Sequence, residues 1–297
     1  FTGANLSSAN IRGSSYKDAV FSEAALTACE LSGMDFSSMR LLSTVFNGSN
    51  LEGASFASAR LSKVQFSDAV LDGVDFSSAT LEGMDLAGCV LNGLSLRGAK
   101  LARTSLTGCE LRESDFTGAV LEQVHLAGAK LSNTILRDAD LSSLDLKGID
   151  FSGSDLHGVR FSSADLQGAD FSNAVVTEAN FQDANLKETR FQGANLAGID
   201  FGGADISGLD FSGTVLEGAN LERCVMNGTN FTEARFKGAL FVPRDFINAR
   251  LRLADFSEMS LSGADFSELH LQEADFRDCD LTGARFYKTF LSNANFK

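Results

Sequence analysis

Every fifth residue from Phe1 to Phe296 is a large apolar side chain, 60 positions in unbroken register. They comprise 31 Leu, 24 Phe, two Ile and one each of Tyr, Val and Met. A period of five matches neither the alternation of a lone strand nor the 3.6-residue helical turn. An exact short repeat of this extent reads as a solenoid, in which each unit buries its apolar residue only by stacking on its neighbours.

Around each apolar centre the other positions are also specialised. The residue two before the centre is small in most units, with 28 Ala, seven Thr, five Cys and four Ser. The residue two after it holds 27 of the 28 glycines, Gly202 being the exception, as a corner with positive φ requires. Asp and Asn are the commonest residues just before the centre, and 18 of these are Asp. Their carboxylates are expected to accept hydrogen bonds from turn amides. The spacing of Phe gives the number of sides. Phe follows Phe 15 times at a separation of 20 residues and three times at 15, so a square coil stacks like on like and a triangular one does not.

Ala4-Asn5-Leu6, Ala169-Asp170-Phe171, Ala194-Asn195-Leu196 and Ala264-Asp265-Phe266 carry the unit in its plainest form. On these residues the chain resembles the pentapeptide-repeat family. The resemblance implies an all-β, right-handed quadrilateral β-helix with one repeat per side. Sixty units then make about 15 coils, roughly 70 Å at the usual strand spacing. The expected organisation is a single domain over residues 1–297. Because the chain starts on a repeat centre without a capping segment, it reads as a segment of a longer protein.

Composition excludes more than it assigns. A single Pro and no Trp suit a narrow, laddered core, and no apolar run reaches membrane length. All five cysteines (Cys29, Cys89, Cys109, Cys224, Cys279) take the small inward position, so they are expected as buried free thiols. Free thiols suit a reducing compartment, here read as the cytoplasm, with a secretion-associated context as the alternative. The three histidines (His125, His157, His270) lie far apart on outward positions, so no metal site, cofactor site or catalytic constellation is expected. The Asn-x-Ser/Thr sequons at Asn5, Asn47, Asn227 and Asn230 are chance products of this composition.

Three surface features are candidates for contact. Residues 240–253 break the repeat: Arg244 stands in the small inward position, Pro243 at the corner, and Leu240, Val242, Ile247 and Leu253 are apolar where the pattern is polar. An inward arginine cannot enter a dry core without a partner, so a bulge that turns Arg244 outward is expected, and the break reads either as a tolerated local defect of the repeat or as an apolar contact patch for a partner. Tyr287 and Phe290 form a second candidate near the C-terminal end, suited to end-to-end pairing. Asp145, Asp150, Asp165, Asp170, Asp265, Asp275 and Asp280 form acidic faces, within a chain of net charge −14. Asp145 over Asp165 and Asp150 over Asp170 place like charges in adjacent coils, which is destabilising unless a cation or partner intervenes.

The first functional expectation is therefore a non-catalytic scaffold or protein-interaction rod within a larger protein or assembly, binding protein partners and no membrane, nucleic acid or small-molecule substrate. The resemblance supplies an alternative, since some members mimic duplex DNA and bind bacterial DNA gyrase or topoisomerase IV. Charge density is low for that role. Fourteen charges over the expected length is one per ~5 Å, against one per ~1.7 Å for the duplex.

Overall fold

The computed structural model describes residues 1–11, 14–16, 19–246 and 248–297. It divides into two compact units, Phe1–Asp140 and Leu141–Lys297.

Both units are built on one rule: residue i pairs in parallel with residue i+20. In the first unit β1 (Arg40–Leu42) pairs with β2 (Arg60–Ser62), Arg40 opposite Arg60. Single bridges continue the ladder, for example Asp35 to Ser55, Ser55 to Asp75 and Asp75 to Ser95. The second unit repeats it through Asp155, Val175, Asn195 and Val215. The hydrogen bonds show how a side is tied. Phe56 donates to the Asp75 carbonyl at 2.7 Å, and Asp75 donates back to the Ala54 carbonyl at 3.0 Å. Twenty residues per turn at five per side make the coil four-sided.

Most corners are β-turns in which the centre carbonyl accepts from the amide three residues on, as when Ala59 donates to Phe56 at 2.9 Å. Among the described residues the third turn residue is left-handed at every corner except Pro243. Gly203 has φ +77°, and where glycine is lacking Arg103 and Glu113 hold φ of 60° and 61°. This is why glycine concentrates there, and why its absence is tolerated only at a small local strain.

The centres fill the interior in two packing modes. Along a column, rings 20 residues apart lie face to face: Phe171 and Phe191 are 5.1 Å apart at 9°. Between opposite sides, rings ten residues apart meet edge on, as do Phe161 and Phe171 at 5.6 Å and 85°. Both geometries suit the ring quadrupole. In the first unit leucine replaces phenylalanine over part of the stack, and a void of only about 10 Å³ remains among Phe66, Phe76 and the neighbouring leucines.

The small column explains its own composition. Thr44, Thr229 and Cys109 each donate to the centre carbonyl 23 residues earlier, at 2.9 Å in every case. A hydroxyl or thiol therefore replaces an Ala methyl without losing a hydrogen bond. Among the described residues no buried side-chain nitrogen or oxygen lacks a partner. The five cysteines are free, and burial, with a smaller contribution from Cys89, pushes the Cys109 thiol up to about 12.

The break at 240–253 takes a specific form. Pro243–Phe246 is a 3-10 turn in which Pro243 and Phe246 are buried and Arg244 is exposed. Pro243 thus turns inward in place of the arginine, which corrects the expectation that it belongs to a surface patch. Proline suits this place because its fixed φ fits a 3-10 turn and it needs no amide partner.

Candidate interaction surface

The three candidate features all lie in the second unit. At the break, Leu240 and Val242 are 55% and 52% exposed, and they flank Phe241, a repeat centre that is only half-buried. Phe241 still packs edge on against Phe246, with ring centroids 4.9 Å apart, so its inner edge belongs to the core. Leu253 is half-buried at a left-handed corner with φ 60°, and contributes less apolar surface than its position suggested. Ile247 lies outside the described residues. Phe241 was not anticipated as a surface residue, because the period marks every centre as interior. The adjacent Pro-Arg pair is the signal that could have flagged it.

Arg244 is held by Asp265, Nη2 to Oδ2 at 3.0 Å. The Ser267 hydrogen bonds and then Arg244 bring the Asp265 carboxyl down to about 2 from 3.8. A carboxyl lowered by folding stabilises the folded state above its unfolded pKa and loses that contribution as pH falls through its folded value. The Asp265 contribution is therefore complete above about pH 4 and disappears towards pH 2. We expect carboxyl NMR titration of Arg244→Gln to show an Asp265 pKa that rises but stays below 3.8, because Ser267 remains. A rise to 3.8 or above would mean that the turn bonds contribute nothing.

Near the C-terminal end, Tyr287 is 66% and Phe290 52% exposed. Phe290 already has a neighbour, as its ring stacks on His270 at 4.4 Å and 10°. Lys288 Nζ lies 5.1 Å from the centroid of the Tyr287 ring. Among the described residues, no ring or hydrogen-bond interaction brings either residue into contact with the 240–253 break.

The acidic faces are dominated by local bonding. Asp150, Asp170, Asp265, Asp275 and Asp280 each accept from the amide two residues on, at 2.9–3.1 Å. Asp145 and Asp165 do the same at 3.3 and 3.4 Å. Asp145 and Asp165 do face each other across the ladder, but Lys147 Nζ lies between them, 3.8 Å and 2.8 Å away. That hydrogen bond is the main reason the Asp165 carboxyl is lowered. Partial burial works against ionisation of Asp170, yet hydrogen bonds from Arg190 and Ser172 hold its pKa below the ordinary value. Arg277 holds Asp275 in the same way. Among the described residues no three His, Cys, Asp or Glu side chains gather as a metal site would require. No helix among them is long and apolar enough to cross a membrane.

Family comparison agrees with this geometry. The pentapeptide repeat region model matches residues 19–96, 59–136 and 122–201, and the pentapeptide repeats (8 copies) model matches 184–223, 204–241, 245–272 and 260–297. The chain belongs to the pentapeptide repeat family. The matched segments stop at 241 and resume at 245, so the family pattern lapses where the 3-10 turn intervenes. No curated protein matches the sequence. Solved pentapeptide repeat structures are similar to it. HetL, involved in heterocyst differentiation regulation in the cyanobacterium Nostoc, is 28% identical over 79% of this chain and 90% of that one, with a TM-score of 0.31. A trypsin-treated form of QnrB1, a plasmid-mediated fluoroquinolone resistance protein, is 14% identical over 86% and 93%, with the same TM-score. A thylakoid-lumen protein from Arabidopsis thaliana is 28% identical over 44% and 64%, with a TM-score of 0.15. Likenesses at these scores assign no role to this pentapeptide repeat chain. They indicate no enzymatic family.

Proposed function

We propose that this protein is a non-catalytic scaffold that engages protein partners through the apolar surface at the break in its second unit. One observation carries the reading. Leu240, Phe241 and Val242 are three consecutive apolar residues at least partly open to solvent, whereas exposed valines such as Val20, Val70 and Val120 are single and need no partner. Leu240 is tied to the ladder through the Ala219 carbonyl at 2.8 Å, and the Val242 carbonyl accepts from the Asp245 amide of the 3-10 turn at 2.9 Å, a fixed frame that lowers the ordering cost of binding. Free thiols suit a reducing compartment, and a cytoplasmic location is part of the reading.

The DNA-mimic alternative draws less support from the same surface. Its carboxylates are committed to turn amides, and several are paired with Arg or Lys, so their charge is locally cancelled.

The double substitution Leu240→Ser, Val242→Ser is expected to leave the circular dichroism spectrum unchanged and to weaken self-association or partner capture at least tenfold. Sedimentation and pull-down measurements that show no change would remove the patch from the account. Inhibition of gyrase supercoiling by micromolar protein would favour the mimic instead.

A further inference from the structure

The ladder of the first unit opens on two consecutive sides. Gln65 and Val70 pair downwards with Val45 and Asn50, and Asp85 and Val90 pair upwards with Ser105 and Glu110. Between the two coils no bridge joins Gln65 to Asp85 or Val70 to Val90. The amides of Phe66, Leu71, Asp85 and Val90 have no partner within the chain, nor do the carbonyls of Val64 and Ala69. Their equivalents one coil away are bonded: Phe46 donates to Gln65 at 2.8 Å, and Gln65 to Thr44 at 3.0 Å.

The opening is a cleft of about 1190 Å³ lined by residues 62–72, 82–85 and 87–90. That exceeds the ~300–1,000 Å³ typical of small-molecule pockets. Its two lips are parallel β edges with donors and acceptors in strand register, the geometry that extended peptides complete by strand addition. Met84, Cys89 and Phe66 lie along its inner side. At its rim stand Asp68, Asp72, Glu82 and Asp85, with Lys63 the one lining cation.

We propose that this cleft binds an extended peptide that inserts as an additional strand between the two coils. Alternation of side chains along a strand then dictates the ligand: apolar residues turn towards Met84 and Cys89 on the inner side of the cleft and basic residues towards the acidic rim. Two sides of five residues each call for a segment of about ten residues with a bend in the middle. A peptide rather than an isolated cation or small molecule is indicated because the unpaired groups are backbone donors and acceptors in sequence. A second opening of the ladder, between Asn185 and Asp205 and between Arg190 and Asp210, lies in the other unit. Its rim includes Arg190 and Lys187 and lacks the one-signed charge of the first.

The test is hydrogen exchange on the full chain with a synthetic peptide in which Lys and Val alternate about a central Gly. In the free protein the Phe66, Leu71, Asp85 and Val90 amides should exchange much faster than Gln65 and Leu86, which are bonded to the flanking coils. Saturating peptide should slow the four at least tenfold. The exposed-site variant Asp68→Lys, Asp72→Lys should weaken binding at least tenfold, and a peptide with Glu replacing Lys should not bind. Protection of the four amides in the free chain would show that the coils close in solution and would overturn the proposal. So would the absence of slowing at millimolar peptide, or equal binding of the Lys and Glu peptides.

Discussion

Replacing Phe191 by Ala is expected to destabilise the second unit by about 3–5 kcal/mol, read as a fall in its unfolding midpoint. The Phe191 ring is fully buried. It stacks on Phe171 and Phe211, with centroids 5.1 and 5.2 Å away, and meets Phe181 and Phe201 edge on. Four aromatic neighbours held by paired backbone cannot collapse into the space, so the cavity term adds to the lost transfer free energy. Phe290→Ala is the control. Its ring is half in solvent and touches His270, and its loss should change the midpoint little. If the two variants behave alike, the inward column is wrongly assigned.

Ala179→Arg is the second large effect, at least about 3 kcal/mol, from an uncompensated charge placed in the core. Ala179 is fully buried in the small inward column, the same repeat position that Arg244 occupies in the sequence. Arg244 is accommodated only because Pro243–Phe246 becomes a 3-10 turn, Pro243 takes the inward place and the guanidinium reaches Asp265 outside. A regular coil around Ala179 has paired backbone on both sides and no proline to exchange with. Thermal unfolding of this variant within experimental error of the parent would show that the coils rearrange freely around a charge, contrary to a fixed ladder. Arg244→Ala should be mild, because the pair it removes lies at the surface.

The sequence carries most of the architecture because the repeat is also the packing unit. Leu and Phe at every fifth place are the interior, the 20-residue Phe spacing is the stacking distance, and an Asp just before a centre serves as a turn acceptor, as Asp35 does for Ser37. Details that depend on which neighbour a long side chain selects were hidden. Lys147 settles between Asp145 and Asp165, and no spacing rule distinguishes that choice from solvent exposure. The exchange of Pro243 for Arg244 was only half legible. The conflict at Arg244 announced a bulge, but not which residue would replace it. Least legible was the cleft above residues 62–72. That stretch obeys the five-residue period without a flaw, and the opening lies in backbone pairing between coils, to which side-chain pattern is blind. For the candidate surface, Leu240 and Val242 were readable as apolar residues out of place, whereas Phe241 was concealed by its regular position.

The central claim is that the chain pairs residue i with residue i+20 around a four-sided interior. Long-range amide contacts measured by NMR test it directly. The Asp75 amide, bonded to the Ala54 carbonyl at 3.0 Å, should show contacts to Ser55 and none to Arg60. Contacts at a separation of 15 residues, or none beyond the local turn, would contradict the square coil and everything built on it.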